Sequence, residues 1–257
     1  MLGALAAARR TLGSRVWGFY TRSRARWWAL TDPRLAIEAR ERIVFHHLAR
    51  AGRLDRFRGG RILEIGPKHG EDSRLLATLE PEELVLLDLA EKDELVRSWL
   101  IDVPGARHVS GNLLYLDREE RAALGSFDLV WCLGVLYHNA EQLRLLRRLF
   151  ELTRTGGLAV VESSTTRDRQ LAKKNVVEIH WPETYRGERT ITHHPSRRAI
   201  RSWLEMVGFA DVRIEDVYSR YTGWQRAVVT GVRPADPRPY ISYVGEDAPP
   251  WVAGDAT

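Results

Sequence analysis

Residues 62–70 read Ile62-Leu63-Glu64-Ile65-Gly66-Pro67-Lys68-His69-Gly70. A short apolar run carrying one acid stops at a glycine turn, and helical spacing follows over Ser73–Leu79. A buried strand, a glycine turn and a helix in that order form the first βα unit of a nucleotide-binding sheet. In such sheets ligands lie beyond the carboxyl ends of the strands, at the point where strand order reverses. The next apolar run, Leu84–Asp88, ends on an acid 22 residues after Gly66. An acid there can accept both hydroxyls of a ribose.

The unit repeats outward from this segment. Strand patterns cover Arg61–Ile65, Leu84–Asp88, Arg107–Val109, Phe127–Leu133 and Leu158–Ser163. Helical patterns cover Ser73–Leu79, Lys92–Trp99 and Glu141–Thr153. Strands alternating with helices predict an α/β fold, a doubly wound, Rossmann-like parallel sheet with helices on both faces. Leu-Val-Leu-Leu-Asp and Leu-Ala-Val-Val-Glu are apolar almost throughout, as strands covered on both faces must be. Upstream, Thr31-Asp32-Pro33 reads as a helix start for Pro33–Ala51, with Ile37, Val44, His47, Leu48 and Ala51 near one stripe. Gly59-Gly60 ends that segment. Residues 164–195 are polar and lack a clear period, which marks a lid or substrate loop. Ser196 caps a helix through Val207, and Asp211–Val217 and Arg226–Val232 are the last strands. The expected division is therefore a basic helical extension over 1–58, a catalytic domain over 59–232, and a Pro-rich, disordered tail over 233–257.

Lys68 narrows the choice of nucleotide. Dinucleotide sites use a second glycine at that position so that the backbone can approach a pyrophosphate. A long side chain opposes that approach and argues against a nicotinamide dehydrogenase. S-adenosylmethionine (SAM) offers ribose and adenine without a phosphate, and Glu64 suits its cationic amino-acid end through water or backbone contacts. The motif, read as Glu64-x-Gly66-x-Lys68-x-Gly70, resembles the class I SAM-dependent methyltransferases over about residues 61–232. The middle glycine of that family is missing and the closing Gly70 is kept. The resemblance implies that Asp88 binds the ribose and that Gly111-Asn112 lies against adenine, where the Asn112 amide can bond the base edge. His69, Leu89 and Leu133 are its further expected cofactor contacts. It also implies a seven-stranded, mostly parallel sheet whose last strand is antiparallel.

A finer likeness lies in Gly134-Val135-Leu136-Tyr137-His138, which follows Phe127–Leu133. This run is similar to the bacterial tRNA wobble-uridine carboxymethyltransferases. In that family the Tyr of the run and an Arg opening the last strand hold the carboxylate of a carboxylated SAM. Tyr137 and Arg226 are the matching residues here, and they are candidates for gripping an anionic group on cofactor or acceptor. The family's Trp- and Lys-bearing approach to the first strand has no counterpart; an Arg-rich arm takes its place.

Methyl transfer from a sulfonium is an in-line displacement, so the protein mainly aligns the reactants and excludes water. His138 is the candidate base for an acceptor that must lose a proton, with Tyr137 lining the pocket beside it. Trp181 and Tyr185 could stack on a planar or sugar acceptor, and His193 and His194 are candidate substrate contacts. The spacing of His180, Glu183, His193 and His194 matches no strong metal-ligand pattern.

Composition bounds the rest. The chain has 257 residues, 44% hydrophobic and 28% charged, which suits one large folded domain with extensions or two small domains. A single cysteine, Cys132, excludes an internal disulfide framework and fits a reducing cytoplasm. The net charge of +5 is uneven: residues 1–58 hold 13 Arg against four acids, a net +9, which leaves −4 on the remainder. A basic arm sits on a mildly acidic body. Its first part mixes Arg with aromatics, and a helix over Leu2–Tyr20 is expected to cap the body or lie on a membrane surface. The first expected function is methylation of a small-molecule or sugar-like acceptor. The alternatives are an RNA methyl- or carboxymethyltransferase whose arm tracks phosphates, and a non-catalytic SAM-fold interaction module.

Overall fold

The computed structural model describes residues 35–166, 168–181, 193–217 and 226–238, with side chains from residue 43 onward. The helix expected over Leu2–Tyr20, the Thr31-Asp32-Pro33 start signal, Tyr185 and Glu183 lie outside the described residues.

Helix α1 (Leu35–Arg50) precedes strand β1 (Arg61–Ile65), α2 (Glu71–Ala77), β2 (Glu83–Asp88), α3 (Asp93–Leu100) and β3 (Ala106–Ser110). Then follow α4 (Arg118–Leu124), β4 (Phe127–Leu133), α5 (Gln142–Leu152) and β5 (Thr153–Ser164). Two three-residue strands, β6 (Val177–Ile179) and β7 (His193–Pro195), pair antiparallel and lead to α6 (Arg197–Met206), β8 (Ala210–Glu215) and β9 (Arg226–Val232).

The seven long strands form one sheet in the order β3-β2-β1-β4-β5-β9-β8. β3, β2, β1, β4 and β5 are parallel, and β9 runs antiparallel to both of its neighbours. Alternate residues of each strand face opposite layers. On one face Ile62, Leu86, Trp131 and Val160 pack with Val44, Phe45 and Leu48 of α1 and with Val96 and Trp99 of α3. On the other face Leu63, Val130, Cys132 and Val161 pack with Leu145, Leu149 and Ile200. The sheet is thus doubly wound, and β1 and β4 flank the point where strand order reverses.

The division expected at residue 58 does not coincide with a break in the core. Val44 and Leu48 are fully buried against the sheet, and Arg53 bonds Glu215 of β8 at 3.0 Å. The described end of α1 is part of the layered body. Ordered structure also passes residue 233, where a tail was expected to begin. The Arg233 guanidinium donates to the carbonyls of Phe150, Glu151 and Thr153, which tethers the chain just after β9.

Two local features depart from the sequence reading. α4 was not anticipated, although Asp117 and Glu120 form a reciprocal capping box at its start. The polar segment 164–195 contains the β6–β7 pair, whose strands are too short to show a period.

Candidate active site

The carboxyl ends of the parallel strands converge beside β1. The Gly66 N–H donates to Leu87 O at 2.9 Å, and the Gly111 N–H to Asp88 O at 2.8 Å. Those bonds prolong the ladder by one residue and set Gly66, Asp88 and Gly111 side by side. Gly66, Lys68 and Gly70 have φ of +71°, +49° and +77°. Lys68 therefore holds the left-handed backbone that glycine adopts most readily. Trp99 fixes the loop from α3. Its indole N–H donates to Lys68 O at 2.9 Å, and a Cβ on Gly70 would lie 2.4 Å from the ring.

Glu64 and Asp88 supply the site's carboxylates. Glu64 is buried at the end of β1, where Ser73 Oγ donates to it at 2.6 Å. Asp88 is half-buried, and its Oδ1 accepts the Leu89 N–H at 2.8 Å. Burial raises the Asp88 pKa above the ordinary carboxylate value, and the amides of Leu89 and Lys68 counter that only in part. Asn112 Oδ1 accepts from Leu114 N at 3.0 Å, so the amide oxygen is used within its own turn. His69 and Leu89 are exposed at the rim, and Leu133 is half-buried at the end of β4. Together these groups gather two carboxylates and one amide at the strand ends, a set whose hydrogen-bonding capacity for a diol and a base edge suits the ribose, adenine and cationic end of SAM.

The second half of the site lies over β4, β5 and β9. Arg226 opens β9 opposite Ser164 and reaches back to Glu162. Its Nε and Nη2 donate to the two carboxylate oxygens at 2.5 and 2.7 Å. Glu162 also accepts the Gly134 N–H at 3.1 Å, so one carboxylate holds both the guanidinium and the turn after β4. The anion that Arg226 grips in this structure is thus internal. Beyond that turn, Tyr137 lies with its ring 5.4 Å from the Arg226 guanidinium, within cation–π range. The His138 ring is 4.2 Å from Tyr137 and exposed.

Buried Gln142 joins this turn to β7, donating from Nε2 to Leu136 O at 3.1 Å and to His193 O at 3.2 Å. His194 is buried with its ring 6.4 Å from Tyr137 and 4.9 Å from His180. Tyr137, His138, His194 and Arg226 are therefore brought together as one wall. Trp181 stands apart from it, 77% exposed at the end of β6.

Glu162, Gln142, Trp99 and Ser73 were not singled out by sequence reasoning. Each acts through a partner distant in the chain or buried in a strand, and only the acid ending Leu-Ala-Val-Val-Glu was a visible signal.

The fold and the paired half-sites define a class I SAM-dependent methyltransferase. Residues 36–214 match the methyltransferase-domain family, and the chain belongs to that family. Among its curated relatives is the tRNA U34 carboxymethyltransferase of Aliivibrio fischeri, 33% identical over 158 residues. That match covers 62% of this chain and 44% of the relative, and the chain spans about half the length of the curated relatives it matches. Two solved structures share the fold. The N-terminal domain of EvdMO1 with SAH and D-fucose aligns with a TM-score of 0.52 and 22% identity over 76% of this chain and 82% of its own. Human N-acetylserotonin methyltransferase in complex with SAM aligns with a TM-score of 0.54 and 14% identity over 84% of this chain and 57% of its own.

Proposed function

We propose that the chain transfers a methyl or carboxymethyl group from SAM or its carboxylated form to a uridine of tRNA. The observation that carries this reading is the meeting of Tyr137 and Arg226 at 5.4 Å, at the ends of β4 and β9. These are the two residues singled out by the likeness to wobble-uridine enzymes, and the match over 158 residues supports the same acceptor. That support favours RNA over the small-molecule acceptor first expected.

In this reading Asp88 takes the ribose hydroxyls, and Asn112 the adenine edge. The turn from Gly66 to Gly70 shapes the wall of the amino-acid end, with Glu64 beneath it. SAM supplies an activated carbon on its sulfonium. Tyr137 and His138 line the acceptor side, where His138 takes the proton released by the acceptor. Glu162 is a positioning residue: it orients Arg226 and fixes the turn that carries Tyr137. A cytoplasmic site of action fits this reading.

The test is transfer with isotopically labelled SAM and with carboxylated SAM, each offered unmodified tRNA or a pool of sugars and small aromatic alcohols. Nucleoside mass spectrometry should find the label on an anticodon uridine. Label in the small-molecule pool with none in tRNA would overturn the reading.

A further inference from the structure

We propose that a basic face built from the single-turn helix Leu171–Lys173 and the start of α6 docks the phosphate backbone of the RNA acceptor. The proposal deepens the tRNA reading and rests on it. An open cleft of about 550 Å³ is lined by Arg169, Gln170, Ala172, Lys173 and Arg197. Residues 168–174 and 196–201 carry six basic side chains and one acid, Asp168, and one of the six, Arg201, is paired with Glu205 at 2.8 Å. The body outside residues 1–58 has a net charge of −4, so this face reverses the local sign.

The cations stand on a stitched frame. Ser196 Oγ donates to Lys174 O at 2.5 Å and accepts from Ala199 N at 3.0 Å. Arg198 Nη1 donates to Lys173 O at 2.7 Å, which ties the two segments together. Asp168 is committed to its own turn, where Oδ1 accepts the N–H groups of Gln170 and Leu171 at 2.6 and 3.0 Å. Arg169, Lys173 and Arg197 are exposed. Cations spread over two segments and around an open cleft match successive phosphates of a chain better than one small anion.

The position suits the acceptor. His194 of β7 lies beside Tyr137, and Arg197 follows three residues later. The face is therefore joined through the β7 segment to the wall that holds Tyr137. Trp181, 77% exposed at the end of β6, adds an aromatic surface for a base.

The test compares the full chain with R169Q/K173Q/R197Q, using fluorescence anisotropy on a labelled tRNA anticodon hairpin across a salt series. Calorimetry with SAM and circular dichroism should match between the two proteins, because none of the three residues touches the cofactor cleft. Losing three phosphate contacts at about 0.7 each should flatten the slope of log affinity against log salt by about 2, and weaken binding roughly 100-fold at 0.1 M salt. If the hairpin binds the unaltered protein and the variant keeps the same slope, the basic face is overturned while the RNA reading stands. If the unaltered protein binds no RNA, both fail. If the variant loses binding only to vesicles containing anionic lipid, the face serves a membrane and the proposal is overturned.

Discussion

Replacing Glu162 by Gln tests the junction of the two half-sites. The Glu162 side chain is 3% exposed and that of Arg226 14%. Breaking a buried pair by removing one partner costs about 3–5 kcal/mol, because the remaining charge stays buried without compensation. Gln preserves volume and an acceptor for the Gly134 N–H, so the change isolates the charge. Arg226 keeps a small exposed edge, which puts the expected loss near the lower limit, about 3 kcal/mol. With a urea slope of about 3 kcal/mol/M, the unfolding midpoint should fall by about 1 M at constant slope. Adding Arg226→Met to Glu162→Gln removes the guanidinium whose carboxylate partner the first change took away. The double variant should then be more stable than the sum of the single changes implies. Equilibrium urea unfolding of the four proteins, followed by tryptophan fluorescence, completes the cycle. Strictly additive losses, or an unchanged midpoint for Glu162→Gln, would refute the pairing as the element that joins β5, β9 and the turn after β4.

Other outcomes follow from the same geometry. Gly70→Ala sets a Cβ against Trp99 at a positive φ; overpacking and backbone strain together cost about 3 kcal/mol, and differential scanning calorimetry should show a melting temperature lower by roughly 6–12 °C. Asp88→Asn removes a charged acceptor and should weaken SAM binding about 30-fold by calorimetry. Burial raises the Asp88 pKa in the folded state above its ordinary 3.8. The folded protein then binds this proton more tightly than the unfolded chain, and the stability so contributed is lost as pH rises through the raised value. At neutral pH the Asn variant should therefore unfold at the same or higher urea concentration than the parent, while SAM affinity of the parent falls on acidification through that raised pKa. Cys132 is fully buried, and burial with the Glu162 charge pushes its thiol up to about 12. Iodoacetamide at pH 8 should leave the native chain unlabelled and react as urea unfolds it.

The sheet was legible because its signals are local. Arg61–Ile65, Phe127–Leu133 and Arg226–Val232 were placed with the observed bounds, since continuous apolar runs bounded by glycine or charge leave little choice of register. The antiparallel β9 came from resemblance, not from any pattern in the strand itself. α4 was missed because Leu124 is the one large apolar side chain in its seven residues, so no apolar stripe stands out, although its capping signal was present. In the site, Asp88 and the turn from Gly66 to Gly70 were readable because strand, turn and acid follow one another in the chain. The Glu162–Arg226 pair was not, since its partners are 64 residues apart and a buried acid ending a strand looks like its neighbours until the fold joins them.

The left-handed Lys68 has a consequence for how such sites are found. A side chain in this conformation costs about 1–2 kcal/mol. A glycine there would lose about 0.5–1 kcal/mol through the greater freedom of its unfolded chain. The second offsets part of the first and leaves a net cost of at most about 1.5 kcal/mol, small enough for the letter at this position to drift while the torsion angle stays. A search for glycines by spelling passes over this turn. A search for left-handed torsions at three alternate positions after a buried strand finds it, which makes backbone shape the more durable signature of this nucleotide cradle.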